Sequence, residues 1–444
     1  MEVWIKAGEF LLAISILVIV HEFGHYIASR IFGIRVEKFF LFFDAGGFKL
    51  FSKKIGDTTY GIGWLPLGGY VKIAGMVDES MDKDFANSAP QDDEFRSKPA
   101  WQRLIVMLAG ITMNVILGIL IFTWHTFHYG EESIPISDLN NGIIAHSLAR
   151  EAGLQTGDVI LKMNGEKLKK AGDIISPTLL LDDNVNYGIV RNGKEQTIFL
   201  PKDFAKKIVV SHDWPDSFVE LRQKFAVETV DGFPIDNAKK AGLIANDSIT
   251  AVNGVATPFF SDITHAFAQN KNKEVKITVK RASASSPLIL TGLIDNDGHM
   301  GFAAQFNFIP EQYSLGESFK IGANRAWHAV ADNVKGLWRM ITGALPAKSL
   351  HSLIGIANAF PSTWNWSGFW MLTGLLSMVL AFMNLLPIPA LDGGHVIFLL
   401  VEMIRRKPVS IRILEVSQIV GMSVLFLLMA FALYNDMSQF IFKR

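Results

Sequence analysis

The 444-residue chain contains no cysteine. Disulfides and thiolate metal ligands are excluded, so a metal site must draw on imidazole and carboxylate. Charge is sparse: 19% of residues are charged against 50% hydrophobic, and 42 basic residues balance 42 acidic ones. Zero net charge leaves no global basic field, which argues against nucleic acid as a partner. No small-residue cleavage site follows the first apolar run, so that run is expected to be retained rather than removed as a signal peptide.

What the chain does have is long apolar runs. Four reach spanning length, at about residues 9–28, 104–127, 369–386 and 414–434, where roughly 20 residues suffice to cross a bilayer. Trp101, Trp124, Trp364, Trp366 and Tyr434 stand at their ends, as an interfacial aromatic belt requires. Lys and Arg concentrate in the loop 31–98 and at Arg405, Arg406, Lys407 and Arg412. The positive-inside rule places both loops in the cytoplasm, with the termini and the insert 129–366 outside.

Residues 11–30, LLAISILVIVHEFGHYIASR, carry His21, Glu22 and His25 inside an apolar helix. Positions four apart share a helix face, so both imidazoles can reach one ion. This is the H-E-x-x-H pattern of zinc hydrolases, in which the glutamate is the general base. A buried pair of partnered histidines is the structural alternative, but ionisable groups within lipid are costly and mark function. A third protein ligand is needed. The metzincin extension is excluded, because Ala28 and Ile31 stand where its glycine and third histidine belong. The best source is residues 384–395, NLLPIPALDGGH, where Pro387, Pro389, Gly393 and Gly394 break the third run. Asp392 lies in that break; His395 competes as ligand, and a helix N-cap is the structural alternative for Asp392. His125 and His128 fit an interfacial polar rim better than a second metal pair.

Two further stretches stand out. Residues 61–73, GIGWLPLGGYVKI, suit a re-entrant β-hairpin beside the metal, offering an edge to an extended substrate; a surface loop is the alternative. The insert holds a repeat: AREAGLQTGDVILKMNG (149–165) aligns with AKKAGLIANDSITAVNG (238–254). The pair resembles tandem PDZ domains of bacterial proteases. No clear carboxylate-binding loop is present, so a rigid filter is as good a reading as peptide capture. After the repeat, Trp327, Val330, Val334, Leu337, Trp338 and Ile341 recur at helical spacing, as in a helix lying on the outer membrane surface.

HEFGH, NLLPIPALDGGH and the PDZ pair between the second and third spans together resemble the site-2 protease family of intramembrane zinc metalloproteases, in its bacterial sigma-E-regulating branch. The resemblance covers nearly the whole chain. It implies one Zn²⁺ per chain on His21, His25 and Asp392, with Glu22 as catalytic base. It also implies that Asn384, Pro387 and Pro389 position substrate, and that Gly61-Ile62-Gly63 is the G-x-G of the family's re-entrant element. The segment 351–360 lacks the Ser-Gly-Pro often seen there.

The expected fold is a multi-pass α-helical membrane protein with four spans, a re-entrant β-element and two extracytoplasmic PDZ-like α+β domains. Its divisions are the first span (1–32), a cytoplasmic loop (33–100), the second span (101–128), two PDZ-like domains (129–215 and 216–310), an amphipathic region (311–366), the third span with the break (367–403), and a basic loop with the fourth span (404–444). Expected partners are the lipid bilayer and transmembrane-helix substrates such as trimmed anti-sigma factors and signal peptides. The protein is expected to be a monomer in a bacterial inner membrane, with periplasmic PDZ domains and the active site near the cytoplasmic side. The rival readings are a PDZ-bearing membrane scaffold with a non-catalytic zinc and an ion transporter. The first needs a fourth ligand; the second needs a polar path across the bilayer, of the kind inverted repeats build.

Overall fold

The computed structural model describes residues 2–66, 68–76, 89–211, 218–350 and 352–442. Leu67, the expected division at 215/216 and His351 lie outside them. The chain divides into two units, one made of Met1–Gly130, Gln312–Met340 and Ala347–Arg444, the other of Glu131–Glu311 and Ile341–Pro346.

In the first unit, four helices among the described residues are long and apolar enough to cross a membrane: Glu2–Ile31, Ala100–Tyr129, Trp366–Leu385 and Ile411–Phe442. They make the chain a multi-pass membrane protein, and their positions agree with the four expected runs. The first two spans approach closely because small residues face each other: a Cβ on Gly24 would fall 2.5 Å from the Ala109 carbonyl oxygen. The third run ends at Leu385, and a separate helix, Asp392–Arg405, begins after the Pro387/Pro389 break. Ala390 sits at φ 94° there, a strained value for a residue with a side chain.

Between the first two spans the chain forms a four-stranded sheet. Its strands are β1 (Val36–Leu41), β2 (Lys49–Ile55), β3 (Thr58–Gly63) and β4 (Tyr70–Ile73), in the order β2-β3-β1-β4. The expected hairpin over 61–73 is not formed: β1 lies between β3 and β4, pairing parallel with one and antiparallel with the other. Gly61, Ile62 and Gly63 are on an inner strand bonded on both sides. Gly61 and Gly63 admit close packing instead, since a Cβ would fall 2.4 Å from the Phe40 ring or 2.2 Å from the Phe43 carbonyl oxygen. The sheet's edges are β2 and β4.

The helix Leu315–Ile341 belongs almost wholly to the same unit. Its small face, with Gly322, Ala326 and Ala329, packs near Thr123, Phe122 and Met378 of the second and third spans. Trp327, Val334 and Trp338 are exposed.

The second unit contains the repeat as two copies of one pattern. Strand order runs 166–167, 159–163, 186–191, 194–199 in the first and 255–256, 248–252, 274–280, 288–293 in the second. Both carry an Asn-Gly turn with both residues at positive φ, the hairpin geometry that pair favours. Where the first copy has Gly157 at φ 96°, the second has Asn246 at φ 67°, and asparagine tolerates that region better than other side chains. Val219–Leu221, beyond the expected 215/216 division, pairs back with Ile143–Ala145 of the first copy. Glu131–Ser133 pairs with Ile309–Glu311, so the unit's two ends leave side by side.

Candidate active site

His21 and His25 share one face of the first span, and their Nε2 atoms lie 3.3 Å apart. Asp392 opens the helix Asp392–Arg405 and places Oδ2 3.2 Å from each Nε2. The N-cap position of that helix is Leu391, so Asp392 is not its cap. Ligand atoms on a tetrahedral zinc with bonds of about 2.0–2.1 Å stand about 3.3 Å from one another. The observed triangle has the size of one face of that tetrahedron.

The protonation pattern points the same way. His25 Nδ1 lies 2.8 Å from the Val106 carbonyl oxygen. A carbonyl only accepts, so the ring proton is on Nδ1 and Nε2 offers its lone pair. His21 Nδ1 lies 3.1 Å from the Asn114 amide, whose oxygen is buried without a partner as placed. Turning that amide by half a rotation lets Asn114 Oδ1 accept from Nδ1–H and frees His21 Nε2. Asp392 Oδ2 is itself buried with no hydrogen-bond donor among the described residues, although two ring nitrogens are within 3.2 Å. Three electron-rich atoms thus converge, an arrangement that repels unless a cation sits among them. The residues fit zinc.

These groups open on a cavity of about 1000 Å³ that Glu22 and Asn384 also line. Asn384, in the last turn of the third span, places Nδ2 3.2 Å from His21 Nε2, so an amide donor stands beside the ligand atoms. His395 lines the cavity too, but the cluster of possible metal ligands comprises His21, His25 and Asp392 among the described residues. Gly61, Ile62, Gly63, Pro387 and Pro389 do not line it; among the strands, β4 contributes Tyr70, Val71, Lys72 and Ile73, and β1 contributes Lys38. His125 donates to or accepts from Ser367 Oγ at 2.9 Å and His128 stacks on Trp124, so the two make a polar, aromatic rim.

Some supporting residues were not anticipated. Gly110 leaves room for the imidazoles, since a Cβ there would fall 2.4 Å from His25 Nε2. Asn114 orients His21. Arg103 of the second span pairs with Glu402 and so ties down the helix that begins at Asp392. A lone asparagine within the run LIVMLAGITMNVILG was the available signal for Asn114, since an amide there needs a partner.

The profile of Peptidase family M50 matches residues 9–428. The chain belongs to this family. As an M50 member it is a zinc metalloprotease of the site-2 type. It is similar to the regulator of sigma-E protease of Escherichia coli K12, with 29% identity over 467 residues, covering 97% of this chain and 98% of that one. It is also similar to the regulator of sigma E protease of Haemophilus influenzae, with 28% identity over 448 residues and the same coverage. A protease of Yersinia pestis shares 28% over 460 residues, again 97% of this chain and 98% of the other.

Proposed function

We propose that this M50 protease hydrolyses peptide bonds within transmembrane segments of single-span membrane proteins, with one zinc per chain on His21, His25 and Asp392 and with Glu22 as general base. The observation that carries the reading is the convergence of three ligand atoms at 3.2–3.3 Å with Asp392 Oδ2 left without a donor. Zinc held there supplies Lewis acidity and lowers the pKa of water. Glu22 takes the proton of the attacking water as its oxygen bonds to the scissile carbonyl carbon. When the C–N bond breaks, Glu22 returns that proton to the leaving nitrogen. Asn384 is placed to donate to a group in the cavity. β4 lies at an edge of its sheet and lines the cavity, so it is the strand on which an unwound segment would be held by strand addition. A helical substrate must unwind first, because its amides are occupied by their own hydrogen bonds.

The names of the relatives point to sigma-E signalling, so anti-sigma factors already trimmed outside, and leftover signal peptides, are the proposed substrates. The proposed site of action is a bacterial inner membrane, with the active site toward the cytoplasm and the repeat copies as PDZ-like periplasmic domains that exclude bulky, untrimmed substrates. A scaffold with structural zinc calls for four protein ligands, whereas the cluster has three among the described residues.

The test uses purified protein, a transmembrane-peptide substrate and Glu22→Gln. Zinc content is expected to stay at the wild-type level while cleavage falls on the order of 10³-fold, within the range general acid–base groups supply. Unchanged cleavage removes Glu22 from the mechanism.

A further inference from the structure

Gln418 is a carboxamide in the third turn of the apolar fourth span, and only 3% of it is exposed. Its neighbours along the helix, Val416, Ile419 and Val420, are exposed apolar residues suited to lipid. Gln418 instead lines the active-site cavity, together with Glu22, Asn384 and Asp392. Its amide makes no hydrogen bond to another described residue. The amide therefore faces the cavity rather than a neighbouring helix, so interhelical hydrogen bonding does not account for a carboxamide at this position.

The placement is fixed by a backbone contact one turn further on. An ideal Cβ on Gly421 would fall 1.3 Å from the Pro389 carbonyl oxygen, so the helix backbone lies against the break that precedes Asp392. Any side chain at 421 would push the helix off. Gly421 therefore seats the fourth span on the same loop that delivers a metal ligand, and Gln418 comes to the cavity from that seat.

We infer that Gln418 is a substrate-binding residue that hydrogen-bonds the main chain of the unwound transmembrane segment. This rests on the protease reading above. The chemistry of such a substrate selects the partner. Its side chains are apolar, and the polar groups it brings into the cavity are main-chain N–H and C=O. A carboxamide can donate to one and accept from the other. The residue thus recognises an opened backbone rather than a particular side chain. It favours segments that have lost helical hydrogen bonds over intact helices.

The experiment uses the full chain in detergent or vesicles and a fluorogenic apolar transmembrane peptide that the wild type cuts. A matched series replaces single main-chain amides near the cut by esters. Gln418→Leu is expected to raise KM about tenfold, as loss of one buried hydrogen bond does, with kcat within about twofold and zinc content unchanged. One ester position should weaken the wild type by a similar factor and leave Gln418→Leu insensitive. An unchanged KM in Gln418→Leu, or leucine and ester effects that multiply at every position, would overturn the assignment. Gln418→Met gives the same measurement with a flexible side chain if leucine disturbs packing. Loss of zinc in both variants would make the residue structural and overturn it equally. A wild type that cuts no membrane peptide and matches Glu22→Gln fails at the protease reading instead, which this control separates.

Discussion

Asp158 and Asp247 of the repeat copies are buried carboxylates, Asp392 of the membrane unit has a buried Oδ2, and they are treated in opposite ways. Asp158 accepts from Arg191 Nε at 2.7 Å, Arg191 Nη2 at 2.7 Å and the Gln155 N–H at 2.8 Å. Asp247 repeats the arrangement with Arg281 at 2.8 and 2.7 Å and the Ile244 N–H at 3.0 Å. Even the second Arg nitrogen bond recurs, to Gly153 O in one copy and Gly242 O in the other. Asp392 has two imidazoles beside it, yet Oδ2 has no donor. A buried acid that only holds a fold has its oxygens filled by the chain itself. A buried acid kept for a ligand is left one donor short.

The contrast is broken most severely by removing a structural partner. Arg281→Met leaves the buried Asp247 with the Ile244 N–H but no cationic partner and is expected to destabilise its repeat copy by about 3–5 kcal/mol. Denaturant unfolding or limited proteolysis of the full chain measures this, and zinc content should not change. A loss below about 1 kcal/mol, as for an exposed pair, would mean that the bidentate pair is not structural.

A smaller effect is expected one step outside the metal ligands. Asn114→Leu removes the group that orients His21, and such partners typically carry about 10–100-fold in metal affinity. Competition against a chelator of known affinity reads this directly. Wild-type affinity in the leucine variant would show that the His21 ring is fixed by packing alone.

The smallest effect belongs to an intermediate case, Asp44. Burial opposes its charge, but the Tyr70 hydroxyl at 2.8 Å and the Lys38 ammonium at 3.4 Å outweigh that and hold its carboxyl below the usual range. A depressed folded-state pKa stabilises above the unfolded value, near 4, and that gain disappears as pH falls through the folded one. Asp44→Asn should therefore cost about 1 kcal/mol or less at pH 7 and nothing once both forms are protonated. A cost that persists at low pH would assign the effect to shape rather than charge.

Much of this was readable from residue spacing. The face shared by His21 and His25 follows from helical geometry, and a carboxylate in a proline-broken run had few structural uses besides capping. The repeat was visible because its turn chemistry is local: Gly153 and Gly242, and the two Asn-Gly pairs, all need positive φ. The sheet was not readable in the same way. Whether β3 and β4 pair as a hairpin depends on where β1 inserts, and β1 (Val36–Leu41) lies well outside the glycine-rich stretch 61–73. The G-x-G at 61–63 marks close packing on Phe40 and Phe43 rather than an open edge. Gly110 and Gln418 were likewise silent, because each acts through a partner distant in the chain.

The most direct measurement is zinc content, with the metal's X-ray absorption spectrum, in wild type, Asp392→Ala and His395→Ala. Wild type should hold one zinc per chain with two imidazole nitrogens and carboxylate oxygen in its first sphere. Asp392→Ala should drop to background and His395→Ala should match wild type. Full zinc occupancy without Asp392, or its loss without His395, would contradict the assignment of the third ligand.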